Sequence, residues 1–599
     1  MPPKLNMAEL LAKARASKQA QIAPVPAPTT PTVPAAPSLP TTTTLSLADR
    51  IAALRKAASK ESKKLSTPIE EVEVTVHHIV PTEVSPLAEL VTTGMHGETI
   101  TYNTEQQQFI TTVSTGASAV LIGAAGTGKT TCSQGAIRAL INSTTLGIRP
   151  LQADGHSHLK DGGAGIIIIS YTRRAVNNIR KVQSKDMQNN CITGHKLLEY
   201  QPEYFEVEDP ETGLARNTMR FCPARNATNP LPETIATIIV EEASMLSVEF
   251  YAEIELALLH SVQWIFIGDI QQLPPVFGSA ILGFKMLELP VVELTQVYRQ
   301  ALESPIIRLA HRVLSGKPIK LPEYSEWATP DQLTIHPWKK KLSAEHAVMT
   351  LGVFFKGAID KGVYVPEEDM ILIPYNKACG TVELNKIIAN HLARKHGKMT
   401  YEVMAGFNKH YFSEGDKVLY DREDAEIIEV QPNPAYTGGK VQPPSRTLDY
   451  WGHNPNIGAE SKYQAYDPED VDFLLDAVAS SEDRVTQASH KIVVKLLDTE
   501  AVITVYKSAD VNALLHSYAL TVHKSQGSEW RKVFFCIHQS HSSMVQRELL
   551  YTGITRAREE LYIICEPETF TKGILSQRIK GNTLAEKAEF FKGKQLARQ

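Results

Sequence analysis

The chain has 599 residues, 43% of them hydrophobic, which is length and apolar content enough for three or four domains with proper cores. Its 62 Lys plus Arg against 66 Asp plus Glu, a net charge of −4, exclude a uniformly basic surface but not a locally basic channel. Cys132, Cys191, Cys222, Cys379, Cys536 and Cys565 form no CxxC pair and no zinc-ligand spacing, and there is neither a membrane-length apolar run nor a secretory h-region, so a soluble, cytoplasmic protein with reduced thiols is expected.

Residues 1–85 read as a low-complexity tail. Within it, residues 23–46 hold seven Pro and seven Thr and no charge, the composition of an extended linker. It joins "MAELLAKARASK" (7–18) to "LADRIAALRKAASK" (47–60), two weakly similar, basic, amphipathic stretches. Residues 1–66 carry ten basic and three acidic side chains. Docking peptides for a partner protein, a basic arm for DNA and an Ala/Lys-biased disordered tail all fit this pattern.

Residues 86–310 change texture. The β-branched runs "SAVLIG", "GIIIIS", "TIIVEE" and "VQWIFIGD" alternate with helical patterns, as in a parallel sheet flanked by helices. Inside this α/β unit, residues 199–233 include two strand-like runs around "DPETG", which reads as a β-hairpin. A second α/β unit is expected from 311–408 ("DMILIPY") and 511–575 ("KVFFCIH"). Between its halves, residues 409–510 read as a small β-barrel, with an acidic stretch at 463–483. Residues 576–599 read as a tail.

"LIGAAGTGKTT" fits G-x-x-x-x-G-K-[ST]. Gly123, Ala124, Ala125, Gly126, Thr127, Gly128, Lys129, Thr130 and Thr131 would wrap backbone N–H groups around phosphate oxygens at a helix N-terminus. Lys129 reaches the β- and γ-phosphates of ATP and Thr130 holds Mg²⁺ in such a loop. By itself "IIVEE" is an ordinary strand end. Following a phosphate loop, Glu241 becomes a candidate Mg²⁺ ligand and Glu242 a candidate base for the attacking water.

Four later stretches follow in order: "FIGDIQQLPPV" (266–276), "LTQVYRQ" (294–300), "YALTVHKSQGSEW" (518–530) and "YTGITRARE" (551–559). With "GAAGTGKT" and "EEASM", this series resembles that of superfamily 1B DNA helicases of the RecD/Dda-like group, over roughly residues 100–575. The resemblance implies two RecA-like motor domains, 5′→3′ translocation on single-stranded DNA, and unwinding of forked duplex in replication, recombination or repair. A functional monomer in a bacterial or phage-infected cell is expected, with replication proteins as partners of the two basic stretches of the N-terminal tail.

The same resemblance assigns residues. Gln106 of "YNTEQQQFI" would face the adenine and Tyr298 would stack on it. Gln272 would sense the γ-phosphate, and Arg299 and Arg556 would neutralise it. Gly527 and Glu529 join the nucleotide set. Thr172, Thr193 and His195 in the first domain, and Thr521, His523 and Lys524 in the second, would meet DNA. The hairpin corresponds to the family's pin, with Tyr204, Phe205 or Phe221 stacking on the junction base pair. The barrel corresponds to an SH3-like insertion. Glu241 departs from the Asp usual at its position. An RNA helicase of the same superfamily and an ATP-switched recruitment factor remain as alternatives.

Overall fold

The computed structural model describes residues 91–93, 99–143, 146–208, 215–276, 278–298, 303–320, 332–338, 341–406, 408–420, 423–436, 487–497 and 500–597. The N-terminal stretches at 7–18 and 47–60, the acidic stretch at 463–483 and Arg299 lie outside these residues. So do the side chains of Tyr204, Phe205 and Phe221.

The first lobe is built on a six-stranded parallel sheet. Its order is Val291–Leu294, Ala119–Gly123, Gln263–Gly268, Thr237–Val240, Ile166–Ser170, Cys191–Thr193. Alternate residues of one strand enter different cores. Val120 and Ile122 pack with Phe250, Ile254 and Ile281, whereas Ala119 and Leu121 pack with Phe109, Ile110 and Leu140. A strand covered on both faces needs apolar residues at every position, which is why these segments are continuous β-branched runs. The two edge strands, Cys191–Thr193 and Val291–Leu294, carry no such run.

The second lobe repeats the plan with five parallel strands, ordered Leu333–Pro337, Ala557–Cys565, Trp530–Ile537, Met370–Ile373, Ala519–Thr521. Met370 and Leu372 face one core, Ile371 and Ile373 the other. The molecule is thus an α/β protein with two parallel sheets. No helix among the described residues is long and apolar enough to cross a membrane.

Three regions differ from the sequence reading or extend it. Strands Tyr200–Glu208 and Ala215–Pro223 pair as an antiparallel hairpin in register from Tyr200↔Pro223 to Glu208↔Ala215. The small β-domain starts earlier than residue 409. Strands Thr400–Ala405 and Asn408–Ser413 pair with each other and send Val403, Ala405 and Phe412 into its core. It also ends later than residue 510, because Leu515–His516 pairs with Lys417–Tyr420.

The third difference is a correction. Residues 576–599 are not simply a tail: Leu584–Leu596 is a helix, opened by a capping box between Thr583 and Glu586. Phe591, 1% exposed, sits against Gly283 and Phe284 of the first lobe. Lys587 is fully buried and donates to Ile579 O at 3.2 Å. The chain therefore returns from the second lobe to the first.

Candidate nucleotide cleft and nucleic-acid track

The phosphate loop joins the buried strand Ala119–Gly123 to the helix Lys129–Asn142. Gly126 (φ 81°) and Gly128 (φ 79°) take the left-handed conformation that side chains oppose. A Cβ on Gly128 would also lie 2.7 Å from the Tyr298 ring. The helix has Gly128 at its N-cap and no side-chain cap, which leaves its first N–H groups to an anion. Lys129 Nζ donates to Gly123 O (2.8 Å) and Ala124 O (3.0 Å), and the Thr127 hydroxyl to Ala124 O (2.9 Å). Thr130 is exposed at the mouth, with Thr131 half-buried behind it.

Gln106, on the helix Thr104–Ser114, is fully buried against this loop. Its Nε2 donates to Gly128 O at 3.4 Å, and its Oε1 accepts from the Tyr298 hydroxyl at 2.9 Å. Gln106 also forms a capping box with Asn103. The Tyr298 amide donates to Gly126 O at 3.2 Å, so both residues assigned to the adenine lie beside the loop.

The two glutamates behave differently. Glu241 Oε1 accepts the Ser133 hydroxyl at 2.5 Å, one helical turn beyond Thr130. Burial pushes its carboxyl up to about 7; the Ser133 bond opposes this and the neighbouring Glu242 adds to it. Glu242 is a non-glycine residue in the left-handed region (φ 52°, ψ 43°), and its buried Oε2 has no hydrogen-bond partner. Such strain costs about 1–3 kcal/mol and recurs at functional sites. Gln272, 4% exposed, likewise has an unpartnered Oε1.

Second-lobe side chains close the cleft. The Tyr551 hydroxyl accepts from Ala125 N (2.7 Å) and donates to Asp269 Oδ2 (2.6 Å). Thr552 Oγ1 accepts from Leu273 N (3.0 Å), and Gln526 Nε2 donates to Leu273 O (2.9 Å). Arg556 is 4% exposed and its hydrogen bonds stay within its own lobe, to Thr552 O, Ser528 O and Thr555 Oγ1. The residue of this segment that touches the phosphate loop is Tyr551, which sequence reasoning missed; its one sequence signal was its place at the head of "YTGITRARE".

Three of the residues assigned to DNA, Thr172, Thr521 and Lys524, lie at a second seam between the lobes. Thr172 and Thr193 follow or end adjacent strands, with Ser170 opposite Thr193, and both hydroxyls cap helices. A capping hydroxyl accepts an N–H and keeps its own proton to donate. From the helix Arg173–Val182, Arg174 donates to Lys524 O (3.4 Å) and Asp424 Oδ1 (2.5 Å), and Asn178 to Gly527 O (2.6 Å). Thr521 ends a second-lobe strand, fully buried, and its Oγ1 accepts from Lys524 N at 3.3 Å.

Four further assigned residues take the following places. Gly527 (φ 74°), assigned to the nucleotide set, packs on Ala175 at this seam, where a Cβ would come within 2.5 Å. Glu529 is exposed beside it. Burial, reinforced by Arg578, lowers the His523 imidazole to about 4, so it is neutral near pH 7 and offers no cation to a phosphate. His195 sits among Tyr171, Tyr200 and Phe250, ring centroids 5.2, 5.1 and 4.6 Å away, at the foot of the hairpin.

Comparison with known proteins agrees with this layout. Residues 106–278 match the model of an AAA domain, and residues 516–564 match that of a UvrD-like helicase C-terminal domain. The chain is 24% identical over 465 residues to the ATP-dependent RecD2 DNA helicase of Deinococcus radiodurans, covering 78% of this chain and 49% of that protein. It thus spans about half the length of that relative. RecBCD enzyme subunit RecD of Buchnera aphidicola is 39% identical over 59 residues, 10% of each chain. Among solved structures, Pif1 helicase from Candida albicans covers 83% of this chain and 100% of its own at 15% identity, with a TM-score of 0.37. The two family matches fall in this order along one chain, and the similarity to the RecD2 relative runs over most of this chain's length.

Proposed function

We propose that this chain is an ATP-dependent DNA helicase that translocates 5′→3′ on single-stranded DNA and unwinds forked duplex. The observation that carries the reading is the cleft: an uncapped helix N-terminus behind a glycine loop, a strained Glu242 with an unpartnered Oε2 at the end of a strand of the same sheet, and a second RecA-like lobe bridged to it by Tyr551 and Gln526. The activity named for the RecD2 relative is consistent with it. Glu242 orients and deprotonates the attacking water, Lys129 and the loop amides hold the triphosphate, and Gln272 reports its presence to the seam. Arg299 and Arg556 neutralise the transferring phosphoryl group when the lobes draw together.

The donors present fit Mg²⁺, a hard cation that takes oxygen ligands. Thr130 supplies a hydroxyl. Glu241 supplies a carboxylate whose raised pKa a cation would bring down. When bound, the metal offsets negative charge on the phosphates.

DNA crosses the second seam, from Thr172, Thr193 and His195 to Thr521, His523 and Lys524. The hairpin 200–223 acts as the pin, with Tyr204, Phe205 or Phe221 at the junction. The domain from Thr400 to His516 acts as the SH3-like insertion that helps hold DNA. The tail binds replication proteins, and the protein works as a cytoplasmic monomer in replication, recombination or repair. The test is ATP hydrolysis with and without single-stranded DNA. Strong stimulation is expected, lost in Lys129→Ala and Glu242→Gln; undiminished hydrolysis in either variant overturns the site.

A further inference from the structure

Tyr551 occupies an unusual place for a side chain of the second lobe. It is fully buried, and its hydroxyl uses its donor on Asp269 Oδ2 at 2.6 Å and one lone pair on the phosphate-loop amide of Ala125 at 2.7 Å. Asp269 is itself 1% exposed. Its Oδ1 accepts from Gln271 N at 2.9 Å, and its carbonyl accepts from Gln272 N at 3.1 Å. One phenol therefore ties the loop to the turn that aims Gln272.

The other end of the tie is equally specific. Thr552, the next residue, receives Leu273 N at 3.0 Å and offers its carbonyl to Arg556 Nε at 3.0 Å. The helix Arg547–Ile554 thus holds the phosphate loop and the Gln272 turn on one side and the Arg556 guanidinium on the other. Burial and the Asp269 carboxylate push the phenol well above its ordinary value of 10, so it remains the donor throughout the working pH range.

We infer that Tyr551 is a positioning residue for phosphoryl transfer: its hydroxyl sets the register of the Arg556 segment against the phosphate loop and Gln272. The inference rests on the proposed ATP hydrolysis at this cleft. Tyr551 takes the Ala125 amide but bonds neither Lys129 nor Gln106, so its loss leaves those groups in place and falls on the hydrolytic step more than on nucleotide affinity. Tyr551→Phe keeps the ring in its packing and removes only the two hydroxyl bonds.

The experiment is steady-state ATP hydrolysis on single-stranded DNA by the full chain, Tyr551→Phe, Asp269→Asn and the double variant, beside Lys129→Ala. Tyr551→Phe is expected to lower kcat by about tenfold or more with KM for ATP within about twofold, the scale of one hydrogen bond to a charged group. The double variant is expected to be no slower than the slower single one, since Tyr551→Phe already removes the Asp269 bond. An unchanged kcat, a loss carried in KM, or additive losses in the double variant overturns the inference. Hydrolysis undiminished in Lys129→Ala, or absent from the wild-type chain, overturns the proposed function instead.

Discussion

Glu199 closes the foot of the hairpin, and removing its charge is expected to uncouple strand separation from ATP hydrolysis. Its Oε2 accepts Arg225 Nε at 2.6 Å, and its Oε1 accepts both the amide and the hydroxyl of Ser157 at 2.6 Å. The pair spans the hairpin, which leaves at Tyr200 and returns at Pro223. Desolvation raises the Glu199 carboxyl, but the Ser157 and Arg225 bonds outweigh it and hold it down at about 2. A folded-state pKa below the ordinary 4.5 contributes stability that is present above pH 4.5 and lost as pH falls through about 2, so at neutral pH the clasp is fully charged.

In Glu199→Gln the Arg225 guanidinium, with its side chain 7% exposed, loses its counter-ion. Breaking a buried pair costs about 3–5 kcal/mol, and the lower end applies because Arg225 keeps its bond to Pro230 O at 3.0 Å. About 3 kcal/mol raises local opening of the hairpin foot by about a hundredfold. Hydrogen exchange at residues 199–225 should quicken by that factor, and unwinding should fall while DNA-stimulated hydrolysis persists. Unchanged exchange and unwinding, or hydrolysis falling in parallel with unwinding, would refute the reasoning.

Two further outcomes follow from packing. Phe591→Ala leaves a cavity against Gly283 and Phe284 and should cost about 3–5 kcal/mol locally, read as protease cleavage within residues 584–596 that the wild-type chain resists. Uncleaved helix in the variant would mean that Phe591 does not anchor it. Gly527→Ala places a Cβ in a left-handed residue 2.5 Å from the Ala175 Cβ, so the seam must open. About 1.4 kcal/mol or more against the closed lobes lowers DNA-stimulated hydrolysis about tenfold or more, and a wild-type rate would contradict the close approach.

What was legible in the sequence was what local chemistry enforces. The glycines of the phosphate loop stand out because φ near 80° excludes side chains, and the central strands because two covered faces demand unbroken apolar runs. Less was legible where partners are distant in the chain. The helix at 584–596 has a charged, short-period sequence, and only the pocket between Gly283 and Phe284 explains Phe591. The hairpin 400–413 has exposed residues at alternate positions, and its inward face shows only once the small core around Phe412 has formed. His195 reads as a polar contact until Tyr171, Tyr200 and Phe250 surround it. Tyr551 carries no motif chemistry of its own. Its role lies in two partners, Ala125 and Asp269, that are hundreds of residues away.

The central claim is that ATP turnover in this cleft drives strand separation. It is tested most directly by offering the purified chain, with ATP and Mg²⁺, two duplexes that differ only in carrying a 5′ or a 3′ single-stranded tail. The account predicts ATP-dependent displacement from the 5′-tailed duplex, abolished by Lys129→Ala. Vigorous DNA-stimulated hydrolysis without displacement from either duplex would contradict it.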